Sequence, residues 1–413
     1  MYQGEKIIAF ADKHKSIIFG LFLSAIVFKH AISNIFLATL LGFFVIQWIH
    51  RKRFFFNTRF WGILIFFLWG VASLVWTTDF SNTIRGIGLT LPLFLIPIII
   101  SQFSNFEADD LKKTIRIFSI SLLTYLFVCL FIAFSLFVED RQSSHFFYHS
   151  LVSLFNNNAI YVSLAVALCI LFIFNLTSKN AVDYFLLIFL GVFIVLLASK
   201  NLIITTFLLT TLSLFNNKKK IKSGAIISAA LIGIVLIVMF SDNPIKDRFL
   251  EELNLNLDYV LAGQDFYDYR FNGVELRLFQ WRLFFEMITN NQIGILGLGL
   301  HNVDYLLNQY FSYYNLYKGY FQINFHNQYL QTIGEIGLVG LALLLFVFFR
   351  AINSVIRSGN NYNLLLLLLF LSAFLTESFL NRQKGVFLFV TFYCLLMMNG
   401  ARKEEKAIQN NQV

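Results

Sequence analysis

The sequence predicts an all-α, polytopic membrane protein with about twelve transmembrane helices and one large loop outside the membrane. Three observations carry this. Apolar residues make up 58% of the 413 and charged residues only 13%, against about 45–50% and 25% in a soluble domain. Mean hydropathy is +0.69. The apolar residues fall in continuous blocks, not in the short alternating segments of a membrane barrel. A soluble enzyme, a nucleic-acid-binding module and a disordered chain are therefore excluded, because a soluble surface could not hide so much Phe, Leu and Ile.

The apolar runs lie near 16–33, 35–50, 60–77, 87–103, 115–138, 158–175, 182–198, 201–215, 223–241, 330–349, 361–378 and 385–399. A span needs about 20 residues. Several runs are slightly short of this, so flanking residues or tilt must make up the length. The division that follows is a nine-span bundle over 1–241, a loop domain over 242–329, and three spans with a short tail over 330–413.

Charge sets the orientation. With the N-terminus in the cytoplasm, the inside segments hold 20 Lys and Arg residues and the short outside loops five, as the positive-inside rule requires. Both termini are then cytoplasmic. The net charge of +9 is spread as clusters between apolar runs, which reads as cytoplasmic loops and not as a nucleic-acid surface. Cys129, Cys169 and Cys394 sit inside apolar runs without CxxC spacing, so they read as small buried hydrophobes. The N-terminus lacks the cleavage site of a signal peptide.

The long loop opens at Ser241–Asp242–Asn243–Pro244, a stop after the ninth run. Its periodicity predicts a helix over Leu276–Asn290 lying on the outer membrane surface, with Leu278, Trp281, Phe284, Phe285 and Ile288 on its apolar side. Arg282 and Glu286 are spaced for an i,i+4 salt bridge. Gly294, Gly297 and Gly299 read as a flexible turn ending that helix. Tyr310, Tyr313, Tyr314, Tyr317 and Tyr320 read as an interfacial aromatic belt or as a sugar-stacking surface.

The loop re-enters the membrane at His326–Asn327–Gln328–Tyr329–Leu330–Gln331, followed by Glu335. A histidine there can exchange a proton with a sugar hydroxyl, or simply cap the helix. Gly334, Gly337 and Gly340 line one face at a spacing suited to close helix packing. Arg277 lies one turn before Trp281, and an arginine can grip two phosphate oxygens. Outside the membrane Arg85 and Lys200 add positive charge, and Glu377 with Arg382 reads as a structural pair. No metal-ligand cluster and no nucleotide loop appears, so no metal and no cofactor is expected.

The ordered set Arg277–Leu278–Phe279–Gln280–Trp281, then Gly294–Ile295–Leu296–Gly297–Leu298–Gly299, then His326–Asn327–Gln328–Tyr329–Leu330–Gln331 with Glu335, Gly337 and Gly340 resembles the O-antigen ligase and polymerase superfamily, whose members carry a Wzy_C-type domain. Trp76–Thr77–Thr78–Asp79–Phe80 with Arg85, and Glu377–Ser378–Phe379 with Arg382, extend the resemblance more loosely. It implies a protein of the bacterial inner membrane with its large loop in the periplasm. It also implies transfer of a glycan from undecaprenyl diphosphate, either to a lipid A–core acceptor (a ligase) or to another lipid-linked repeat (a polymerase). By the resemblance His326 is the catalytic histidine and Arg277 the catalytic loop arginine. Arg282, Lys200 and Arg85 are candidates for the diphosphate. Trp281, Asn327, Glu335 and Arg382 support the site. Where the family carries a second arginine this chain has Lys200, which keeps the charge and loses the bidentate grip. A different class, a lipid-linked glycan transporter, would show charged or broken-helix sites near the midplane; the charged residues inside the runs, such as Asp183, lie near their ends. Expected partners are the undecaprenyl-diphosphate-linked glycan, the lipid A–core acceptor and membrane lipids, with no nucleic acid.

Overall fold

A computed structural model describes residues 2–51, 55–103, 107–154, 157–215, 233, 246–247, 250, 254–359 and 361–410. The run near 223–241, apart from residue 233, the lysines at 218–222 and the stop at 241–244 lie outside the described residues.

Continuous apolar sequence becomes helix, because a backbone in lipid must satisfy its own hydrogen bonds. The N-terminal part runs α1 Tyr2–Val27, α2 His30–Arg51, α3 Trp61–Ala72, α4 Phe80–Thr90, α5 Pro92–Ser101, α6 Ala108–Asp140, α7 Tyr148–Leu151, α8 Ala159–Asn175, α9 Ala181–Leu196 and α10 Lys200–Phe215. The loop contributes α11 Leu257–Ala262, α12 Gly273–Thr289 and α13 Val303–Tyr313. The chain then continues through α14 Gln328–Ser358, α15 Asn361–Thr376 and α16 Gln383–Asn410. Starts are capped as their sequence suggests. Asp79 caps α4 through Asn82 N–H at 3.0 Å, and Asn158 caps α8 through Ile160 N–H at 2.8 Å. Asn180 with Asp183, and Asn272 with Glu275, form capping boxes on α9 and α12.

Burial sorts these helices. Residues 159–174 of α8 are buried on every side, as are residues 386–398 of α16. Around them α1, α2, α6, α9 and α14 leave large apolar side chains such as Ile35, Phe131, Ile188 and Phe349 exposed. Such an outward apolar surface suits lipid and not water. Asp183 is buried, and Arg116 grips it with two hydrogen bonds, one of them 2.7 Å from Nε. The three cysteines are buried and free.

Among the described residues five helical segments are long and apolar enough to cross a membrane: His30–His50, Thr58–Val75, Phe80–Ser101, Ala108–Asp140 and Gln328–Arg357. This corrects the expected count of about twelve. Five of the expected runs fall short in length, since Ala159–Asn175, Ala181–Leu196, Lys200–Leu214, Asn363–Thr376 and Gln383–Met398 are apolar but have only 10–17 residues; the run near 223–241 lies almost wholly outside the described residues.

The loop has its own core. Phe266, Phe279, Leu283, Phe284, Phe311 and Phe325 pack together beside the membrane bundle. Helix α12 thus packs one face into this core. It buries Phe279, Leu283, Phe284 and Met287, while Phe285 and Ile288 stay exposed. The helix is apolar on two sides, one packed in this core and one, with Phe285 and Ile288, left outside it. The tyrosines do not form one belt. Tyr314 is buried in the loop core, whereas Tyr313 and Tyr317 are exposed.

The glycines do more than line a packing face. Helix α14 breaks at Ile336 and Gly337, where Gly337 has φ 74° and ψ −172°. A Cβ there would lie 2.0 Å from Ile295 O. The released backbone groups are satisfied by the 294–299 segment: Leu298 N–H donates to Gly334 O at 3.0 Å, Gly299 N–H to Glu335 O at 2.8 Å, and Leu338 N–H to Ile295 O at 2.9 Å. Trp69 Nε1 adds a bond to Ile336 O at 2.9 Å. The 294–299 segment is therefore a wedge packed into the broken helix, not a flexible turn. Broken helices survive in a membrane only when the freed groups find such partners.

Candidate functional site

Residue 326 stands just before α14, in a left-handed conformation with φ 46°. Asn327 caps the helix, its Oδ1 accepting from Tyr329 N–H at 2.9 Å and Leu330 N–H at 3.1 Å. The turn after α15 is stitched to this start. Asn327 N–H donates to Ser378 Oγ at 3.2 Å, and Leu380 N–H donates to Gln328 Oε1 at 2.6 Å.

That stitching brings Glu377 beside His326. Nδ1 of the ring lies 3.1 Å from Glu377 Oε2, with the carboxylate side chain 4% exposed and the imidazole 22%. An ionised carboxylate only accepts hydrogen bonds, so the pairing puts the proton on Nδ1 and leaves Nε2 as the acceptor. Glu377 thus pairs with His326, where the sequence suggested Arg382. Its carboxylate also feels the charge of Arg277. Arg277 donates from Nε to Thr376 O at 3.2 Å and from Nη1 to Gly273 O at 2.6 Å. Lys200 opens α10 at the same corner, where Asn201 Nδ2 donates to Thr376 Oγ1 at 2.7 Å. Histidine, carboxylate, arginine and the helix bearing Lys200 therefore converge on the end of α15.

Behind them lies a buried polar network. Gln331 Nε2 donates to Asp304 Oδ1 at 2.9 Å and to Glu335 Oε1 at 2.8 Å, and Asn381 Nδ2 donates to Asp304 Oδ2 at 3.1 Å. Asp304 is thereby a joint between α13, α14 and the 378–382 turn, and Glu335 is tied to it through Gln331. Trp281 follows Arg277 on α12, its indole N–H buried with no hydrogen-bond partner among the described residues.

Arg85 and Arg382 belong to a second cluster around His301. Both arginines are exposed, and neither guanidinium makes a hydrogen bond or ion pair among the described residues. Both act on His301, whose ring packs against Gly86 and whose Nε2 is buried without a partner among those residues. Burial holds His301 below the ordinary histidine value; Asp304 opposes this, and Arg382 and Arg85 reinforce it. Arg282 is elsewhere, inside the loop. It pairs with Glu286 at 2.7 Å, donates to Val260 O and Gly263 O at 3.2 and 2.9 Å, and reaches Tyr314 Oη at 3.1 Å.

Sequence reasoning missed the partnership of Glu377 with His326, and it missed His301 altogether. A carboxylate at the end of an apolar run is a signal that some partner must be near, but 51 residues separate this pair.

Together the helical fold and this site define a polytopic, helix-rich membrane protein with a histidine–carboxylate pair where its loop rejoins the bundle. Residues 184–345 match the family model described as O-antigen ligase, Wzy_C, so the chain contains a Wzy_C domain. The matched stretch holds Lys200, Arg277 and His326, while Arg85, Glu377 and Arg382 fall outside it. No curated protein matches the chain.

Proposed function

We propose that the protein is a glycan transferase of the O-antigen ligase type. It moves a glycan from undecaprenyl diphosphate to a lipid A–core sugar at the periplasmic face of the inner membrane. In this reading both termini are cytoplasmic. The 242–329 loop domain then stands in the periplasm between the helices of 1–241 and those of 330–413. The observation that carries the proposal is the 3.1 Å pairing of His326 Nδ1 with Glu377, inside a chain whose Wzy_C match contains His326.

Glu377 holds Nδ1–H, so His326 Nε2 is free to accept the proton of the acceptor hydroxyl. The acceptor oxygen forms a new bond to the anomeric carbon as the bond from that carbon to the diphosphate oxygen breaks. The electron pair leaves with undecaprenyl diphosphate, and the proton rests on His326 until solvent removes it. Charge grows on the departing phosphate, and fixed cations lower the energy of that state. Arg277 and Lys200 supply them near His326. The unpaired Arg85 and Arg382 offer a second grip, with bidentate geometry. Arg282, whose donors are engaged inside the loop, is assigned to holding the loop together. Asn327, Glu335 and Trp281 support the site.

A lipopolysaccharide gel tests this, run on cells lacking the gene and complemented with wild type or His326→Ala. Loss of the ladder on lipid A–core, with long glycan retained on undecaprenyl diphosphate and no rescue by the variant, is the expected result. Accumulation of core bearing a single repeat would make the protein a polymerase instead. Full rescue by a folded His326→Ala protein would remove the base from the mechanism.

A further inference from the structure

Asn201 follows Lys200 inside an apolar run, and the transfer chemistry above gives it no role. An amide among membrane helices is costly unless both its N–H donors and its oxygen are met. Here they are met across the interface of α10 and α15. Asn201 and Thr205 stand one turn apart on α10, and Ser372 and Thr376 one turn apart on α15. Asn201 Nδ2 donates to Ser372 O at 2.9 Å and to Thr376 Oγ1 at 2.7 Å. Its Oδ1 lies 3.0 Å from Ser372 Oγ and 3.1 Å from Thr205 Oγ1, and those two hydroxyls are 2.7 Å apart. Ser372 O can only accept, which fixes the nitrogen on that side of the amide.

This clasp ends where the transfer site begins. Thr376 is the last residue of α15. Its carbonyl accepts Arg277 Nε at 3.2 Å, and the next residue is Glu377, the partner of His326. One amide therefore joins the first turn of α10, which carries Lys200, to the residue that touches Arg277 and precedes Glu377. Helix packing alone could use polar contacts anywhere along the two helices. Here the amide's shortest bond falls on the residue that holds Arg277. A fully bonded polar network holds a single arrangement, and a reacting geometry displaced by about 1 Å can lose much of its rate.

We propose that Asn201 is a positioning residue for glycan transfer: through Thr376 it sets the Arg277 guanidinium and the Glu377 carboxylate against His326. It acts through these groups and touches no substrate. Loss of the amide leaves donor and acceptor binding in place and displaces the groups that act in the transition state, so kcat falls and KM does not. The inference rests on the transferase reading, and a measurement independent of transfer separates the two.

The test uses the full-length protein in detergent, with transfer assayed both to lipid A–core and to a second lipid-linked repeat. Asn201→Leu keeps the size and removes the amide's contacts. It should lower kcat about tenfold with KM within about twofold of wild type. In an Arg277→Lys background the Nε bond to Thr376 is already gone, and the same change should cost about threefold or less. Thr376→Val removes the hydroxyl and should also cost about tenfold, whereas Thr376→Ser restores it and should act as wild type. That pair decides the matter if Asn201→Leu does not fold. Thr210→Val is the control, because the Thr210 hydroxyl bonds the backbone of its own helix; it should transfer as wild type. Amide exchange read by mass spectrometry should quicken about tenfold at 376–380 in Asn201→Leu and stay unchanged in Thr210→Val. If the wild type transfers no glycan, the transferase reading falls and the exchange result alone decides the clasp. An equal loss in both Arg277 backgrounds overturns the proposal, as does a rise in KM matching the fall in kcat. So does Thr376→Ser as slow as Thr376→Val, or unchanged exchange at 376–380.

Discussion

At the scale of the residue, the paired groups are His326 and Glu377. The carboxylate is held by its turn, and the imidazole by a left-handed backbone and the Asn327 cap, so the ring has little freedom. His326→Ala should lower the transfer rate by about 10²–10⁴-fold, the usual worth of a positioned general base. Glu377→Gln keeps the size and removes the charge. It should lower kcat about tenfold through the lost charge-assisted hydrogen bond, with KM little changed. A matching rise in KM would instead place Glu377 in substrate binding. Arg85→Gln and Arg382→Gln should do the reverse, raising KM for the lipid-linked donor more than they lower kcat, measured on reconstituted protein. An unchanged KM in both would remove the second grip from the mechanism.

At the scale of the element, the break in α14 is the feature that places the site. The wedge at 294–299 fills it and leads directly into His301 and α13, so the loop and the membrane helix are locked together. Gly337→Ala should destabilise the protein by at least about 1–2 kcal/mol from the left-handed backbone alone, and by more because of the contact with Ile295 O. A thermal melt in detergent measures this, and an unchanged Tm would contradict the wedge. The same junction carries a pH dependence. His301 has a folded value lowered from 6.5, so the folded state binds fewer protons than the unfolded state. Its contribution is then fully present above pH 6.5 and is lost as pH falls toward the lowered value. Tm should drop on the acid side of 6.5, and His301→Gln should shrink that drop while Asp304, Arg382 and Arg85 remain in place. A variant with the same acid profile as wild type would assign the drop to other groups.

At the scale of the whole molecule, exposed apolar side chains on the outer helices and fully buried α8 describe a bundle built for lipid. The buried native cysteines give a low background for thiol labelling. An impermeant thiol reagent should label Tyr313→Cys in the loop of intact cells. Lys6→Cys should label only after the inner membrane is opened. Labelling in the opposite order would invert the orientation.

By itself the sequence determined the class: apolar blocks in a chain with 13% charged residues can only be membrane helices. It also marked His326 and Arg277, because their order with the glycines forms a local pattern, and it anticipated the Arg282–Glu286 bridge, an interaction within one helix turn. It erred at Gly337, where close packing was expected and the backbone breaks instead. The partnership of His326 with Glu377 and the convergence of Arg85, Arg382 and His301 were decided only by the tertiary structure. The physical reason is range: a helix or cap depends on residues three or four apart, whereas these sites join groups brought close by packing between separate helices.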